Sequence, residues 1–332
     1  MDYQTIINKL KLNSFDCELV NNNLFACGNS IELLKYIPDN SISLILTDPP
    51  YHTTKKKNII GDTAFNNNEE YIEWLKEYAS EWKRILKQNG SIFCFCSSKM
   101  SAHLQIMFSE FFNVLSEIVW TKPNEKGFDG WKQKMKKENL RQWYPQSERI
   151  IFLENYENYF GSLLFKWRKN LKLSTIKLAE LLGAYGKVNH GGIISNWEAN
   201  LSIPSEDQYC KLRGILINFG MTSIPEYKDI IRPFNVNKNV EFTDIWNFKN
   251  VKAYKGKHPA EKPTDLLKHA ICSTTYENDV ILDCFSGSGS TCASAIETNR
   301  KCISFEIDYN WYAQSIQRCR QKISCCLTVT GL

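Results

Sequence analysis

Short apolar segments alternate with helical segments in two separate parts of the chain. The apolar segments cover residues 24–27, 42–46, 91–96, 114–120, 149–153, 280–285 and 302–305. Amphipathic helix patterns lie between them, and the longest spans residues 68–87. Because strand–helix–strand repeats place parallel strands in one sheet with helices on both faces, this alternation predicts an α/β fold with a mostly parallel sheet.

The middle of the chain is helical and basic. Residues 121–220 contain 16 Lys and Arg against 10 Asp and Glu, whereas the formal charge of the whole chain is only +5. A basic middle between near-neutral flanks suits a polyanion that binds centrally. A lysine-rich surface without any ligand would give the same composition, so charge alone leaves both interpretations open.

Composition also bears on location and on metals. Residues 1–10 lack the apolar run of a secretory signal, and no stretch approaches the roughly 20 apolar residues of a membrane span. The chain has 12 cysteines, several of them in apolar runs. We therefore expect a cytoplasmic protein with reduced thiols, no membrane contact and no metal site.

A glycine-rich loop joins the strand at 280–285 to the helix that follows. It reads Asp283-Cys-Phe-Ser-Gly-Ser-Gly289, and a second strand ends at Glu306 about 20 residues later. Glycine allows close approach of the backbone to a ligand, and a carboxylate at the second strand end can accept ribose hydroxyls. This arrangement fits dinucleotide-binding proteins and methyltransferases alike. The dinucleotide fingerprint itself is not met, because Cys292 occupies the place of its third glycine.

The tetrapeptide Asp48-Pro49-Pro50-Tyr51 follows the apolar strand at 42–46. An exocyclic amino nitrogen of a nucleobase is a poor nucleophile, because its lone pair is delocalised into the ring. A carboxylate and a backbone carbonyl that accept its two N–H bonds make it more tetrahedral, and prolines fix the direction of such a carbonyl. Tyr51 offers a flat face for an extruded base. The tetrapeptide thus predicts methyl transfer to an amino nitrogen.

These segments resemble the amino-group DNA methyltransferases of the beta arrangement, in which the catalytic motif precedes the cofactor motif. The matching segments are residues 48–51, 81–90, 118–122, 258–263, 285–291 and 305–308. The resemblance implies a Rossmann-like methyltransferase sheet with an inserted helical target-recognition domain. It implies three parts: residues 1–160 and 221–332 as the two halves of the methyltransferase domain, and residues 161–220 as the recognition region.

The resemblance also implies S-adenosylmethionine as the cofactor. In relatives, the Lys-Pro segment and the glycine loop close around it, and Gly-Asp often stands where this chain has Gly28-Asn29. The cofactor residues implied are Asn29, Asp48, Lys262, Asp283, Phe285, Ser286, Gly287, Ser288, Gly289, Thr291, Glu306 and Ile307. The catalytic residues implied are Asp48, Pro49, Pro50 and Tyr51.

The middle region resembles a repressor-type helix-turn-helix. Residues 167–170 and 178–183 correspond to its first helices, and residues 194–198 to the end of a recognition helix. Ser195 and Asn196 are the predicted base-reading residues, while Ile194 and Trp197 are expected to face the core. Lys166 and Lys169 are predicted to contact DNA.

Together these features predict a site-specific DNA methyltransferase that modifies N6 of adenine in double-stranded DNA after flipping the base. Relatives are often dimers, so a homodimer is possible. A Ser in place of Asp48 would indicate N4 of cytosine, and that alternative stays open, as does an RNA or protein N-methyltransferase. A purely DNA-binding regulator would leave both flanking motifs unused. A cytosine-C5 enzyme would need a Cys nucleophile, usually in a Pro-Cys pair, which the chain lacks.

Overall fold

The described residues of a computed structural model are 1–52, 64–122, 136–143, 145–184, 192–236, 242–252 and 254–330. The chain divides into two compact units: Met1–Asn155 with Phe234–Leu332, and Tyr156–Pro233. The second unit is therefore an insertion in the sequence of the first. The boundaries predicted after residues 160 and 220 stay predictions. Most of the loop predicted after Tyr51, and most of the insert between the helix-turn-helix segments, lies outside the described residues.

The described part of the first unit forms a nine-stranded mixed sheet. The strands are β1 (Asp16–Val20), β2 (Asn23–Cys27), β3 (Ile42–Thr47), β4 (Leu86–Cys96), β5 (Asn113–Thr121), β6 (Ser147–Glu154), β7 (Ile245–Asn247), β8 (Val280–Asp283) and β9 (Lys301–Glu306). Their spatial order is β1-β2-β9-β8-β3-β4-β6-β5-β7. The central run from β2 to β4 is parallel, as is β5 with β7. The α/β fold is confirmed, although β1 and β6 pair in antiparallel fashion with their neighbours.

Helices of the first unit cover both faces of this sheet. In chain order the helices are α1 (Tyr3–Leu12), α2 (Ser30–Leu34), α3 (Asn68–Ile85), α4 (Ser101–Ser109), α5 (Tyr159–Asn170), α6 (Thr175–Leu181), α7 (Gly192–Glu198), α8 (Glu206–Asn218), α9 (Tyr227–Ile230), α10 (Thr264–Thr274), α11 (Ser290–Glu297) and α12 (Tyr309–Thr330). In β3, Ile45 packs into a core with α3 and α4, while Leu44 and Leu46 pack into another with α10 and α12. Burial on both faces explains the continuous apolar run from Leu44 to Leu46 in β3.

The junction between α3 and β4 differs from the sequence prediction. The helix predicted to reach Lys87 ends at Ile85, and the strand begins at once at Leu86. The Asn155 side chain donates to the carbonyls of Leu86 at 2.9 Å and Lys87 at 3.0 Å. These bonds support an extended backbone there, so the strand includes Asn89 and Gly90 and begins before the predicted residue 91.

The second unit has its own apolar core. Helices α5 to α8 contribute buried side chains to it, among them Ile194 and Trp197 of α7, as expected from their spacing. Arg168 of α5 donates two hydrogen bonds, of 2.6 and 2.8 Å, to the carboxylate of Glu198. Because this planar pair is largely buried, it fixes α7 against α5.

We predict that Gly289→Ala lowers the free energy of unfolding more than Gly256→Ala. Both glycines have φ in the left-handed region, +73° and +82°, where an L side chain costs about 1–2 kcal/mol. At Gly289 the added Cβ would also lie 2.8 Å from the Cβ of Ser315 in α12, whereas Gly256 has open space. Overpacking of this kind adds about 1–3 kcal/mol. Urea unfolding followed by circular dichroism measures both values, and equal losses would contradict the assignment of Gly289 to helix packing.

Candidate active site

One edge of the sheet collects the predicted functional residues. The carboxyl ends of the parallel strands β2, β9, β8 and β3 lie side by side there. They lead into Asn29, Glu306, Asp283 and Asp48, respectively. A cavity of about 850 Å³ opens at this edge. Ligands of open α/β sheets bind outside the carboxyl ends of strands, so the topology itself selects this cavity.

The cavity brings together nearly all the predicted catalytic and cofactor residues. Those on its wall are Asn29, Asp48, Pro49, Pro50, Tyr51, Lys262, Asp283, Phe285, Ser286, Gly287, Ser288, Thr291, Glu306 and Ile307. Gly289 is absent from the wall and instead starts α11 against Ser315. Lys166, Lys169, Ser195 and Asn196 belong to the second unit, where all four are exposed.

A cluster of charged groups lies at the floor of the cavity. Lys262 Nζ lies 2.6 Å from Asp48 Oδ2, 3.1 Å from the Tyr51 hydroxyl and 3.2 Å from Glu148 Oε2. The Tyr51 hydroxyl donates to Glu148 Oε2 at 2.8 Å. Lys122 forms a further ion pair with Glu148. Two ammonium groups therefore face two carboxylates, and the cluster is balanced in charge.

Burial and pairing act in opposite directions on these groups. Burial raises the pKa of Asp48 and the charge of Glu148 adds to this, while Lys262 opposes it. Burial alone would also raise the pKa of Glu148, but Lys262 and Lys122 outweigh it and lower the value to about 2. Burial and the two carboxylates raise the pKa of Tyr51, so its hydroxyl stays protonated and donates.

Two buried oxygen atoms on the cavity wall have no hydrogen-bond partner among the described residues. One is Asp48 Oδ1, whose companion Oδ2 accepts from Lys262. The other is Ser286 Oγ in the glycine loop. An unsatisfied buried polar atom costs about 1–3 kcal/mol, so such atoms point to ligands that satisfy them.

The glycine loop is held by Glu306. Its Oε2 accepts from the backbone N–H of Gly287 at 2.7 Å, and its Oε1 accepts from Ile307 at 2.9 Å and Asp308 at 3.0 Å. Gly287 has φ +49°, and a Cβ there would lie 3.1 Å from the ring of His258. The bare glycine therefore keeps the wall open beside His258.

Two other predicted cofactor residues have structural bonds of their own. The carboxylate of Asp283 accepts from Thr47 Oγ1 at 3.0 Å and from the Phe285 backbone at 3.1 Å. Burial raises its pKa to about 6, although those bonds oppose the change. The side chain of Asn29 accepts from the Ile31 N–H at 3.3 Å and caps α2. Both side chains still line the cavity.

Aromatic rings form one wall of the cavity. Phe285 lies 5.7 Å from Trp74 and 5.2 Å from Tyr78, and Phe65 lies 5.2 Å from Trp74, measured between ring centroids. Trp74 and Tyr78 belong to the amphipathic helix predicted over residues 68–87, and nothing in the sequence connects them with a site. Their spacing of four residues on one helix face gives no sign of what they cover.

Sequence reasoning also missed Glu148 and Lys122. Glu148 belongs to β6, which begins at Ser147, two residues before the predicted start at Arg149. In the sequence, the available signal for Glu148 was a carboxylate at the start of an apolar strand. Within the described ranges, no group of three or more His, Cys, Asp or Glu side chains is placed to hold a metal ion. No helix among those residues is long and apolar enough to cross a membrane.

Known proteins and solved structures are similar to this chain over most of its length. The DNA adenine methyltransferase YhdJ of Escherichia coli (strain K12) is 24% identical over 294 residues, which cover 88% of this chain and 80% of that protein. Among solved structures, the PvuII DNA methyltransferase (cytosine-N4-specific) has a TM-score of 0.54 at 18% identity and covers 90% of this chain and 87% of its own. A complex of M1.HpyAVI with SAM has a TM-score of 0.50 at 18% identity, covering 88% and 96%.

The solved structures establish the Rossmann-like fold, and a family model establishes more. Residues 42–317 of the 332 match the N6_N4_Mtase family, described as DNA methylase. This match includes the strand before Asp48, the glycine loop and Glu306. The protein is therefore a member of the DNA methylase family.

Proposed function

We propose that this protein transfers a methyl group from S-adenosylmethionine to the N6 amino group of adenine in double-stranded DNA. Family membership supports the reaction class. The observation that carries the proposal is Asp48 Oδ1, a buried acceptor without a partner among the described residues, on the cavity wall beside Pro49, Pro50 and Tyr51. The amino group of a nucleobase would supply the hydrogen-bond donor that Asp48 Oδ1 lacks.

The residues of the glycine loop fit S-adenosylmethionine. Gly287 leaves the wall open, and Ser286 Oγ is a buried acceptor or donor in need of a partner. Glu306 uses its oxygens for backbone N–H groups but retains lone pairs for ribose hydroxyls. Trp74 and Phe285 offer aromatic faces to a flat or cationic group. When bound, the cofactor supplies an electrophilic methyl group on positively charged sulfur.

Asp48 and the prolines prepare the nucleophile. Oδ1 of Asp48 accepts one N–H of the target amino group, and the backbone carbonyl of Pro49 accepts the other. These two bonds draw the nitrogen toward a tetrahedral geometry and stabilise the positive charge that it acquires during transfer. Lys262 holds Oδ2, so the carboxylate keeps one orientation.

Tyr51 and Glu148 position the base. A base must leave the duplex to reach so deep a cavity, and an aromatic face replaces the stacking that it loses. The hydrogen bond from Tyr51 to Glu148 holds the ring, and Lys122 and Lys262 hold Glu148 in turn. Glu148 is therefore a positioning residue in this proposal.

The choice of adenine rests on Asp48, since a serine at this place would indicate cytosine N4. YhdJ is an adenine methyltransferase and the PvuII enzyme is cytosine-specific, so the family itself includes both. The experiment is to incubate the protein with S-adenosylmethionine and duplex DNA, hydrolyse the DNA and identify the methylated nucleoside by mass spectrometry. N4-methylcytosine would contradict the adenine assignment. Methylation of RNA or protein alone would contradict the substrate class.

In that assay, Asp48→Ala is expected to lose turnover by about 10²–10³-fold, the usual effect of removing one preorganised charge-stabilising group. Its affinity for S-adenosylmethionine, measured by calorimetry, should change much less. The matched variant is Glu306→Ala, which should weaken cofactor binding by about 1–3 kcal/mol and retain turnover at saturating cofactor. Near-normal turnover of Asp48→Ala would contradict its catalytic role.

Glu148→Gln is expected to move the acid limb of the pH profile of kcat/KM to lower pH. Asp48 must be ionised, and its raised pKa places that limb above the usual range of a carboxylate. Replacing Glu148 removes one negative neighbour, so Asp48 stays ionised to lower pH. Glu117→Gln is the control. This substitution removes the same charge from β5, where the partner of Glu117 is Arg149 at 2.8 Å. A Glu148→Gln profile identical to that of the parent would contradict the coupling.

We further propose that the second unit selects the DNA sequence through a repressor-like helix-turn-helix with α7 as its recognition helix. Ile194 and Trp197 fix α7 in the core, while Ser195 and Asn196 are exposed between them. A flipped base supplies only one letter of a target, so other letters must be read in a groove. The order of the motifs, with Asp48 before the glycine loop, supports the beta arrangement. The homodimer stays a prediction.

Asn196→Ala is expected to relax sequence choice while leaving cofactor affinity unchanged, because an Asn–adenine pair contributes about 1–3 kcal/mol of discrimination. By contrast, Lys166→Ala and Lys169→Ala should weaken binding to all sequences equally. Methylation of a randomised duplex pool, followed by sequencing, measures the preference. If Asn196→Ala and Ser195→Ala both keep the parent's preference, α7 is not the reading helix.

A further inference from the structure

A lysine-rich stretch of the first unit follows β7. We call it the lysine segment, meaning residues 249–252 and 254–257. Within residues 249–257 the sequence has four lysines and no acidic residue. The segment is separate from the second unit, to which the DNA-reading residues were assigned. Neither the catalytic cluster nor the glycine loop accounts for it.

Bonds to the rest of the first unit hold the lysine segment in place. Trp120 Nε1 donates to the carbonyl of Phe248, directly before the segment, at 2.9 Å. Lys257 Nζ donates to the Val251 carbonyl at 2.9 Å, which closes the segment on itself. The Tyr254 hydroxyl donates to Glu261 Oε2 at 2.6 Å. The segment is thus fixed relative to the cavity.

The anchored segment carries three exposed lysines, and one of them reaches the cavity wall. Lys249, Lys252 and Lys255 are exposed and recur every third residue. Lys252 also lines the cavity wall, together with Asn250 and Val251. The lysine segment therefore brings an exposed positive charge to the cavity wall at Lys252.

We infer that the lysine segment binds phosphates of the DNA strand whose base enters the cavity. The inference rests on the proposed function, because a base in the cavity brings its own flanking phosphates to the rim. Lysine side chains contact phosphates as flexible point charges and carry no sequence information, which suits a group that must act at every target. In this proposal Lys252 contacts the phosphate next to the base in the cavity, and Lys249 and Lys255 contact phosphates farther along the strand.

The test is the triple variant Lys249→Ala, Lys252→Ala, Lys255→Ala in the full chain. Its Kd for a fluorescent random-sequence DNA duplex is measured by anisotropy between 50 and 200 mM salt. The slope of log K against log salt is negative, and each lost phosphate contact makes it shallower by about 0.9. Over this range the parent should therefore lose about 40-fold more affinity than the triple variant. Affinity for S-adenosylmethionine should remain that of the parent.

The matched control removes three exposed lysines of the same unit outside the cavity wall, Lys9→Ala, Lys11→Ala, Lys35→Ala. It changes the net charge equally, and its salt slope should stay that of the parent. The inference is overturned if the triple variant keeps the parent's salt slope, or if the slope of the control becomes equally shallow. In either case, DNA methylation by the parent would leave the proposed function intact. A parent that methylates no DNA overturns both.

Discussion

Parallel pairing between β3 and β8 is the constraint on which the active site depends. Leu44 and Ile45 of β3 pair with Ile281 and Leu282 of β8. At the end of this pair, Thr47 Oγ1 donates to Asp283 at 3.0 Å across 236 residues of sequence. The pairing brings the Asp-Pro-Pro-Tyr segment and the glycine loop to one edge of the sheet, although the whole second unit separates them in the chain. A methyl donor and an amino acceptor bound at that edge would be neighbours.

The same edge has to keep a carboxylate charged while it is buried. Burial by itself favours the neutral form of Asp48, and Lys262 opposes that tendency from 2.6 Å. An ammonium group buried against one carboxylate would then need its own hydrogen bonds, and Glu148 and Tyr51 provide them. Removal of one partner from such a cluster leaves an unpaired buried charge, which costs about 3–5 kcal/mol. Orientation and ionisation of Asp48 therefore have a common physical origin.

Local motifs allowed much of this arrangement to be predicted from sequence. The glycine loop and the Asp-Pro-Pro-Tyr segment each lie within a few residues, and parallel strands bring their ends together. Glu148 could not be found in this way, because it belongs to no local motif and lies near the start of β6. It reaches the cavity only because β6 runs antiparallel to β4, with Arg149 opposite Cys96. Periodicity of side chains does not reveal strand direction. Likewise, the contact of Lys262 with Asp48 depends on tertiary packing.

The distribution of charge across the cavity suits a substrate with a neutral part and a charged part. Asp48, Glu148, Lys122 and Lys262 balance one another at the floor, where burial makes any unpaired charge costly. A nucleobase is neutral and can enter without upsetting this balance, whereas a phosphate would bring an unpaired charge. The lysine segment adds positive charge at the rim, where solvent reduces the cost of holding it. In the proposed mechanism, this distribution of charge separates base from backbone, because the cavity accepts the neutral base and leaves the phosphates outside.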